Sequence, residues 1–359
     1  MDRRAFLGSA AVSLALPGCV AKPRPAGLQA SCLPRVNVSA GRVIRTVAGL
    51  RPYRASGFVV RAEALGDKRL VHNYGHGGAG ITLSWGSSKL ATALGLQGHR
   101  GPVAVIGAGV MGLTTARLVQ EAGFPVTIYT EALPPHTTSN IAGGQISPFG
   151  HFDDGQVTPE WRAQFAAAMD YSWRRFQIMV GDDYGIRWLP TYQETRNAAR
   201  WQDRFHPEAR LLSAAEHPFP VESLLRYNTM YVETGRFLRE LTKDVQLAGG
   251  RIEVRRFNAP AEIAALPERL VFNCTGLGSR ELFGDLELHP VRGQLAILLP
   301  QPEVRYAFAG SAGHMFPRAD GILLGGTFQR DEWDPTPQQG DIERIVESQR
   351  ELFAGFRCA

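Results

Sequence analysis

The 359-residue chain lacks long apolar runs, long runs of one charge sign and internal repeats, and it is sparing with cysteine. No stretch of 18 or more consecutive apolar residues occurs, so the sequence offers no candidate for a membrane-spanning helix. Its 39 Lys and Arg stand against 34 Asp and Glu, leaving a net charge of +5. With no basic run or basic–aromatic stripe, nucleic acid is not an expected partner. His72 and His76 lie close together, but glycines surround them and no Cys, Asp or Glu completes a ligand set, so no metal is expected. What remains is an ordinary globular composition, 44% hydrophobic, long enough to bury one large core or two smaller ones.

The first 19 residues, MDRRAFLGSAAVSLALPGC, stand apart. Arg3 and Arg4 precede Phe6, Leu7 and a short apolar run, which ends in Leu16-Pro17-Gly18-Cys19. This reads as an export signal of twin-arginine type with a lipoprotein ending, Cys19 becoming the lipid-bearing mature N-terminus. The expected location is periplasmic or cell-surface, anchored to a bacterial membrane by that lipid. Residues 20–34, rich in Pro, Ala and Gly, read as a tether. Of the other cysteines, Cys274 lies in an apolar strand and reads as a small buried hydrophobe. Cys32 and Cys358 lie near the two ends, where an oxidising compartment allows either a disulfide or two free thiols.

Along the chain, residues 42–61 alternate β-type runs with a corner at Leu50-Arg51-Pro52, because a residue before proline is pushed to extended geometry. Four glycines, Gly75, Gly77, Gly78 and Gly80, precede a helix expected over Thr82–Leu96. Residues 103–131 then read as strand, glycine turn, amphipathic helix and strand. Further on, the pattern predicts a helix over Trp161–Val180, a strand over Trp188–Tyr192 and a helical hairpin over Glu222–Leu247. A buried strand at LVFNCTG, a set of antiparallel strands and a helix over Asp341–Phe356 complete the chain.

Gly107, Gly109 and Gly112 directly follow an apolar strand and open a helix. In that setting the first two glycines let backbone N–H groups, with those of Val110 and Met111, approach a pyrophosphate at the positive helix N-terminus. Glu131, just past the second strand, stands where a carboxylate would hold adenosine ribose hydroxyls. Thr137, Thr138, Ser139, Gly143, Gly144 and Gln145 follow at once and suit close contact with a long, extended cofactor. Thr275 follows the LVFNC strand, where the chain returns after an excursion. A nicotinamide domain would instead continue its βαβ pattern, so FAD is favoured. The expected fold class is α/β, an FAD-binding Rossmann-like doubly wound domain plus an antiparallel-sheet substrate domain. Gly77, Gly80, Ile81 and Thr82 form a second helix N-terminus, able to stabilise negative charge on a reduced flavin.

The motifs VAVIGAGVMGL, TTSNIAGGQISPF, LVFNCTG, LLGGTFQ, GLRPYR and HNYGHGGAGITLSWG resemble those of the D-amino-acid oxidase family, which includes D-aspartate oxidase. The resemblance runs from about Val36 to Phe356 in rotated order, since the last two motifs close the family's chains and come first here. It implies a circular permutation, and Cys32 and Cys358 would flank the cut. It divides the chain into an FAD-binding part (35–150, of which 35–100 is the permuted segment), a mainly substrate-binding part (151–235), a return to the FAD-binding domain (236–290) and a substrate-domain sheet with C-terminal helix (291–359). It further implies oxidative deamination of a D-amino acid or related amine, by hydride transfer to flavin N5 with O2 as acceptor. Arg51 matches the family's carboxylate-binding arginine, and the carbonyl of Gly78 would receive the substrate amine. Where the family has a tyrosine, this chain has His314, beside a shortened AGSAG segment that implies a reduced lid. The family's basic residue after the ribose acid is replaced by Ala132. Two other readings compete, a flavin dehydrogenase for another small amine or hydroxy acid, and a flavin-binding lipoprotein without turnover.

Overall fold

A computed structural model describes residues 32–148, 150–197 and 204–357. The expected signal, most of the tether, Cys19 and Cys358 lie outside the described residues. Cys32 is disulfide-bonded, and Cys274 is free and buried.

Two sheets organise the chain. The smaller has the order β2 (Val59–Leu65), β3 (Lys68–Tyr74), β10 (Leu270–Asn273), β4 (Val103–Ile106), β5 (Val126–Thr130) and β9 (Arg251–Val254). All of its pairings are parallel except β2 with β3. Its central strands, β4 and β10, read as apolar runs because both faces are covered. On one face Val71, Val103, Val105, Ile128, Leu270 and Phe272 meet α1 (Gly80–Leu96), α2 (Val110–Glu121), α4 (Pro159–Ile178) and α5 (Thr234–Leu247). On the other, Leu70, Ala104, Ile106, Tyr129 and Val271 meet α6 (Pro260–Ala264) and α7 (Gly278–Phe283). The carboxyl ends of the parallel strands open at the switch point between β4 and β10, where open α/β sheets bind ligands.

The larger sheet runs β1 (Val43–Tyr53), β11 (His289–Leu298), β14 (Gly321–Gly325), β13 (Gly313–Arg318), β12 (Ala307–Gly310), β6 (Ile186–Glu194), β8 (Ser223–Val232) and β7 (Arg210–Ser213), with β15 (Gln329–Arg330) beside β11. Helix α8 (Gln339–Ala354) packs on β11, β13 and β14, its Ile345, Val346 and Phe353 joining Val36 and Val38 in one core. The first and last described segments therefore meet, and the Tyr306 hydroxyl donates to the Pro34 carbonyl at 2.7 Å.

Three expectations need correction. The Leu50-Arg51-Pro52 corner is absent. β1 runs straight through it, pairing Val43–Tyr53 with β11 in an antiparallel ladder that keeps Pro52 extended opposite Pro290. That ladder also puts β1 in the larger sheet, although residues 35–100 were expected to belong to the FAD-binding domain. Short β runs carry no signal of which distant strand they pair with. Finally, Glu222–Leu247 is a strand followed by a helix, because β8 is held between β6 and β7, and tertiary pairing overrides local helical spacing.

Helix α1 starts at the carboxyl end of β3 and runs back to the amino end of β4. At its far end Arg69 donates to the carbonyls of Gly95 and Gln97, at 2.8 and 2.7 Å. It presses on α4 at Gly86, whose N–H donates to the Ser172 hydroxyl at 2.8 Å. A Cβ on Gly86 would overlap the Ala168 carbonyl. Gly86→Ala should therefore destabilise the protein by about 2–4 kcal/mol, whereas Gly235→Ala, which meets nothing within 4 Å, should cost less than about 0.5 kcal/mol. Urea unfolding of both variants checks this.

Candidate active site

A cavity of about 630 Å³ lies where β3, β4, β5 and β10 end. Its floor is the turn after β4. Gly107 has φ +105°, and a Cβ there would stand 2.6 Å from the Cys274 carbonyl. Gly109 is open except for the Ser139 hydroxyl at 3.3 Å, so its backbone faces the cavity directly. The Val110 N–H donates to that hydroxyl at 3.0 Å, tying the segment after β5 to the start of α2. Thr275 on the facing turn is held by the Asn273 amide oxygen, which accepts from its N–H at 3.2 Å and its hydroxyl at 2.8 Å. At the outer end, Glu131 stands with Arg255 and Arg256, the Arg256 guanidinium 3.8 Å from the Glu131 carboxylate. These arginines, just past β9, are the cations beside this acid, whose next residue is Ala132. Sequence reasoning missed them because β9 pairs with β5 only in three dimensions.

The other end is closed by the N-terminus of α1. Gly77, Gly78, Gly80 and Ile81 line it, and the Gly78 N–H is tied to the Gly150 carbonyl at 2.9 Å. His76 is buried, stacked on Phe58 at 5.0 Å, with no partner for Nε2. Burial, then the neighbouring His151, pushes its pKa down to about 3. His151, packed among Phe152, Trp161 and Phe165, is pushed down to about 4 by burial. His72 stays out of the cavity. Asn273 Nδ2 donates to its Nδ1 at 2.9 Å, which leaves Nε2–H to donate to Glu63 at 3.0 Å.

Arg51 and His314 come together on the remaining wall, from β1 and β13. Glycines make the room. The Arg51 guanidinium lies where a side chain on Gly293 would be, and the His314 ring where one on Gly325 would be. Arg51 Nη1 donates to the Thr327 carbonyl at 3.2 Å, leaving most of its five N–H donors for a ligand. Burial lowers its pKa from the ordinary value. His314 stacks on Phe316 at 4.6 Å and is pushed down to about 4 by burial and then by the Arg51 charge. It is therefore neutral near pH 7, and Arg51 carries the positive charge of this wall. The AGSAG segment is a two-residue hairpin between β12 and β13, Gly310 opposite Gly313. Glu194 pins it, accepting from the Ser311 N–H at 2.7 Å and its hydroxyl at 2.6 Å.

Of the residues expected to form the site, Thr137, Thr138, Gly143, Gly144 and Gln145 also line the cavity, and Met111 with them. Gly112 and Thr82 do not. A Cβ on Gly112 would overlap the Gly107 carbonyl, so its role is the close approach of helix to turn. The Thr82 hydroxyl is buried against the Gln145 and Ser147 carbonyls, at 3.3 and 3.0 Å, because its side of α1 faces the core. The bare turn at Gly107–Gly109, the helix start above it and the acid at Glu131 fit an extended dinucleotide such as FAD. Among the described residues no cluster of three or more His, Cys, Asp or Glu could hold a metal.

Comparison with known proteins gives a concordant result. The family model described as DAO, FAD dependent oxidoreductase, matches residues 27–94 and 102–359. A D-amino acid oxidase from Dugesia ryukyuensis is 27% identical over 71% of this chain and 78% of its own length. A D-amino-acid oxidase from Streptomyces coelicolor is 31% identical over 68% of this chain and 76% of its own. In structure, a glycine oxidase from Geobacillus kaustophilus superposes with a TM-score of 0.54 at 16% identity, covering 73% of this chain and 81% of its own.

Two outcomes are expected from this geometry. Gly293→Ala should displace the Arg51 guanidinium and weaken carboxylate binding at least about tenfold, read from ligand titration of the flavin spectrum, with FAD affinity unchanged. The second concerns pH. His76, His151 and His314 hold pKa values near 3 to 4 in the fold against 6.5 unfolded. The unfolded chain thus binds more protons between about pH 4 and 6.5, and stability should rise with pH across that window. Urea unfolding at pH 5, 6 and 7.5 checks this, and His151→Asn should flatten the slope.

Proposed function

This chain belongs to the DAO family of FAD dependent oxidoreductases, and on that premise we propose that it oxidatively deaminates a D-amino acid or a related small amine, with O2 as electron acceptor. The observation that carries the reading is Arg51, a guanidinium on the cavity wall with its donor fork largely uncommitted. FAD, when bound, supplies acceptance of the substrate α-hydrogen as hydride at flavin N5 and return of the electron pair to O2 as hydrogen peroxide.

The chain's own residues bind and orient. Arg51 holds the substrate carboxylate by two charge-assisted hydrogen bonds, which fixes the α-carbon relative to the flavin. The Gly78 peptide, immobilised through Gly150, offers its carbonyl to the amine. His314, neutral near pH 7, contributes at most one N–H to the carboxylate and no charge, so Arg51 acts as the electrostatic anchor. Gly107, Gly109, Val110, Met111 and Thr275 hold the pyrophosphate, and Glu131 with Arg256 holds the adenosine end. The start of α1 brings its positive pole to the far end of the cofactor. The amine's proton leaves to solvent as the imine forms, and water hydrolyses the imino acid.

The same reading includes export and anchoring through a lipid on Cys19, and it takes the rotated motif order as a circular permutation. Support for the latter is the path of α1, which returns to the amino end of β4 and leaves only residues 97–102 to join them.

Anaerobic addition of D-amino acids, L-amino acids and amines to the purified holoenzyme tests the reaction. A D-amino acid or small amine should bleach the flavin absorbance, and Arg51→Leu should lower kcat/KM for an amino acid about a hundredfold or more without loss of bound FAD. Retained flavin that no member of the panel reduces would overturn the proposal.

A further inference from the structure

Arg51 is a long side chain on the wall of the cavity, and a freely rotating guanidinium would lose rotamer entropy on every binding event. Among the described residues its one hydrogen bond is to the carbonyl of Thr327, in the irregular segment between β14 and β15. No ladder of either strand fixes that carbonyl. What fixes it is a polar cluster drawn from β11, β15 and α8.

Gln294, on β11, donates its N–H to the Thr327 hydroxyl at 3.1 Å, and that hydroxyl donates to the Arg292 carbonyl at 3.3 Å. Two residues on, Gln329 is gripped from three sides. Its Oε1 accepts from Arg292 Nε at 2.8 Å and from Gln294 Nε2 at 3.1 Å, and its Nε2 donates to Asp341 at 2.9 Å. Arg292 is 1% exposed. It also donates to the Asp334 carbonyl at 3.0 Å, so the segment is held at both ends. Asp341, in the first turn of α8, accepts from Gln294 and Arg344 as well. Gln294 Oε1 in turn accepts from the Gln338 N–H at 2.6 Å. A polar network with its members mutually satisfied is a rigid one, and it reaches Arg51 through the Thr327 carbonyl.

We propose that Thr327, held by the Arg292–Gln294–Gln329–Asp341 cluster, is a positioning residue for Arg51: it fixes the guanidinium fork before substrate arrives. The inference rests on the reading of Arg51 as the carboxylate anchor. It assigns the cluster a task beyond joining α8 to the sheet, namely setting the aim of a side chain on β1.

The test uses the holoenzyme and three substitutions. Thr327→Val keeps shape and backbone carbonyl but removes the hydroxyl tie, Thr327→Ser restores the tie, and Arg51→Leu removes the anchor. Benzoate, a carboxylate with no oxidisable carbon–nitrogen bond, is titrated against the flavin spectrum. KM and kcat are measured on an amino acid that bleaches the wild type. Thr327→Val should raise the benzoate Kd and KM about tenfold, leave kcat within about threefold and leave FAD affinity unchanged, with a small fall in Tm because the Gln294 N–H loses its acceptor and with Thr327→Ser returning to wild type. A cluster that only braces the fold would lower Tm and leave benzoate binding intact in the folded protein, which would overturn the proposal. Loss of benzoate binding in Arg51→Leu but not in Thr327→Val would overturn the positioning role alone. Unchanged benzoate binding in Arg51→Leu would overturn both it and the reading of Arg51.

Discussion

The register between β1 and β11 is the constraint on which the site depends. These strands come from opposite ends of the chain, and their ladder sets Gly49 opposite Gly293 and Arg51 opposite Val291. Side chains alternate faces along a strand, so a slip of one residue would turn Arg51 away from the cavity and put a side chain where its guanidinium now lies. Neither strand carries the site alone. One brings the cation, and the other brings the empty space into which the cation folds.

Around that cation the protein removes competing charge. His76, His151 and His314 are all held neutral by burial, so the cavity's inner end has one fixed positive side chain and one helix N-terminus. Charge at the outer end, where Glu131 meets Arg255 and Arg256, is solvated and of both signs. The two ends of the cavity therefore differ in chemistry, a buried guanidinium at one and a solvated acid between arginines at the other. An elongated ligand with distinct ends can lie in it in one direction.

The local parts of this arrangement were legible in the sequence. Gly107-Ala108-Gly109 after an apolar strand, Glu131 after the next strand, and the glycines before α1 each sit within a few residues of the element that positions them, so spacing alone located them. The family resemblance picked out Arg51 and His314, which the structure brings onto one wall. What the sequence withheld is what depends on pairing between distant strands. It could not say that β1 leaves the FAD-binding sheet, that residues 223–232 form a strand rather than a helix, or that Arg255 and Arg256 reach Glu131. Nor could it show that Gly112 and Thr82 face the core, because a helix start exposes some of its first residues and buries others according to what packs against it. The Arg292–Gln294–Gln329–Asp341 cluster draws on β11, β15 and α8, and no short motif contains it.

The site is built as much from missing atoms as from present ones. Gly107, Gly112, Gly293 and Gly325 each leave a volume that another group already occupies. Replacing glycine with alanine is among the general routes to a more heat-resistant protein, each exchange adding about 0.4–1 kcal/mol where the backbone and surroundings permit. At these four positions that route is closed, whereas Gly41, Gly155 and Gly340 have nothing within 4 Å and ordinary backbone angles. Thermal resistance in this protein can therefore be raised at its periphery, while the floor of its cavity must keep the flexibility cost that glycine brings to the unfolded chain.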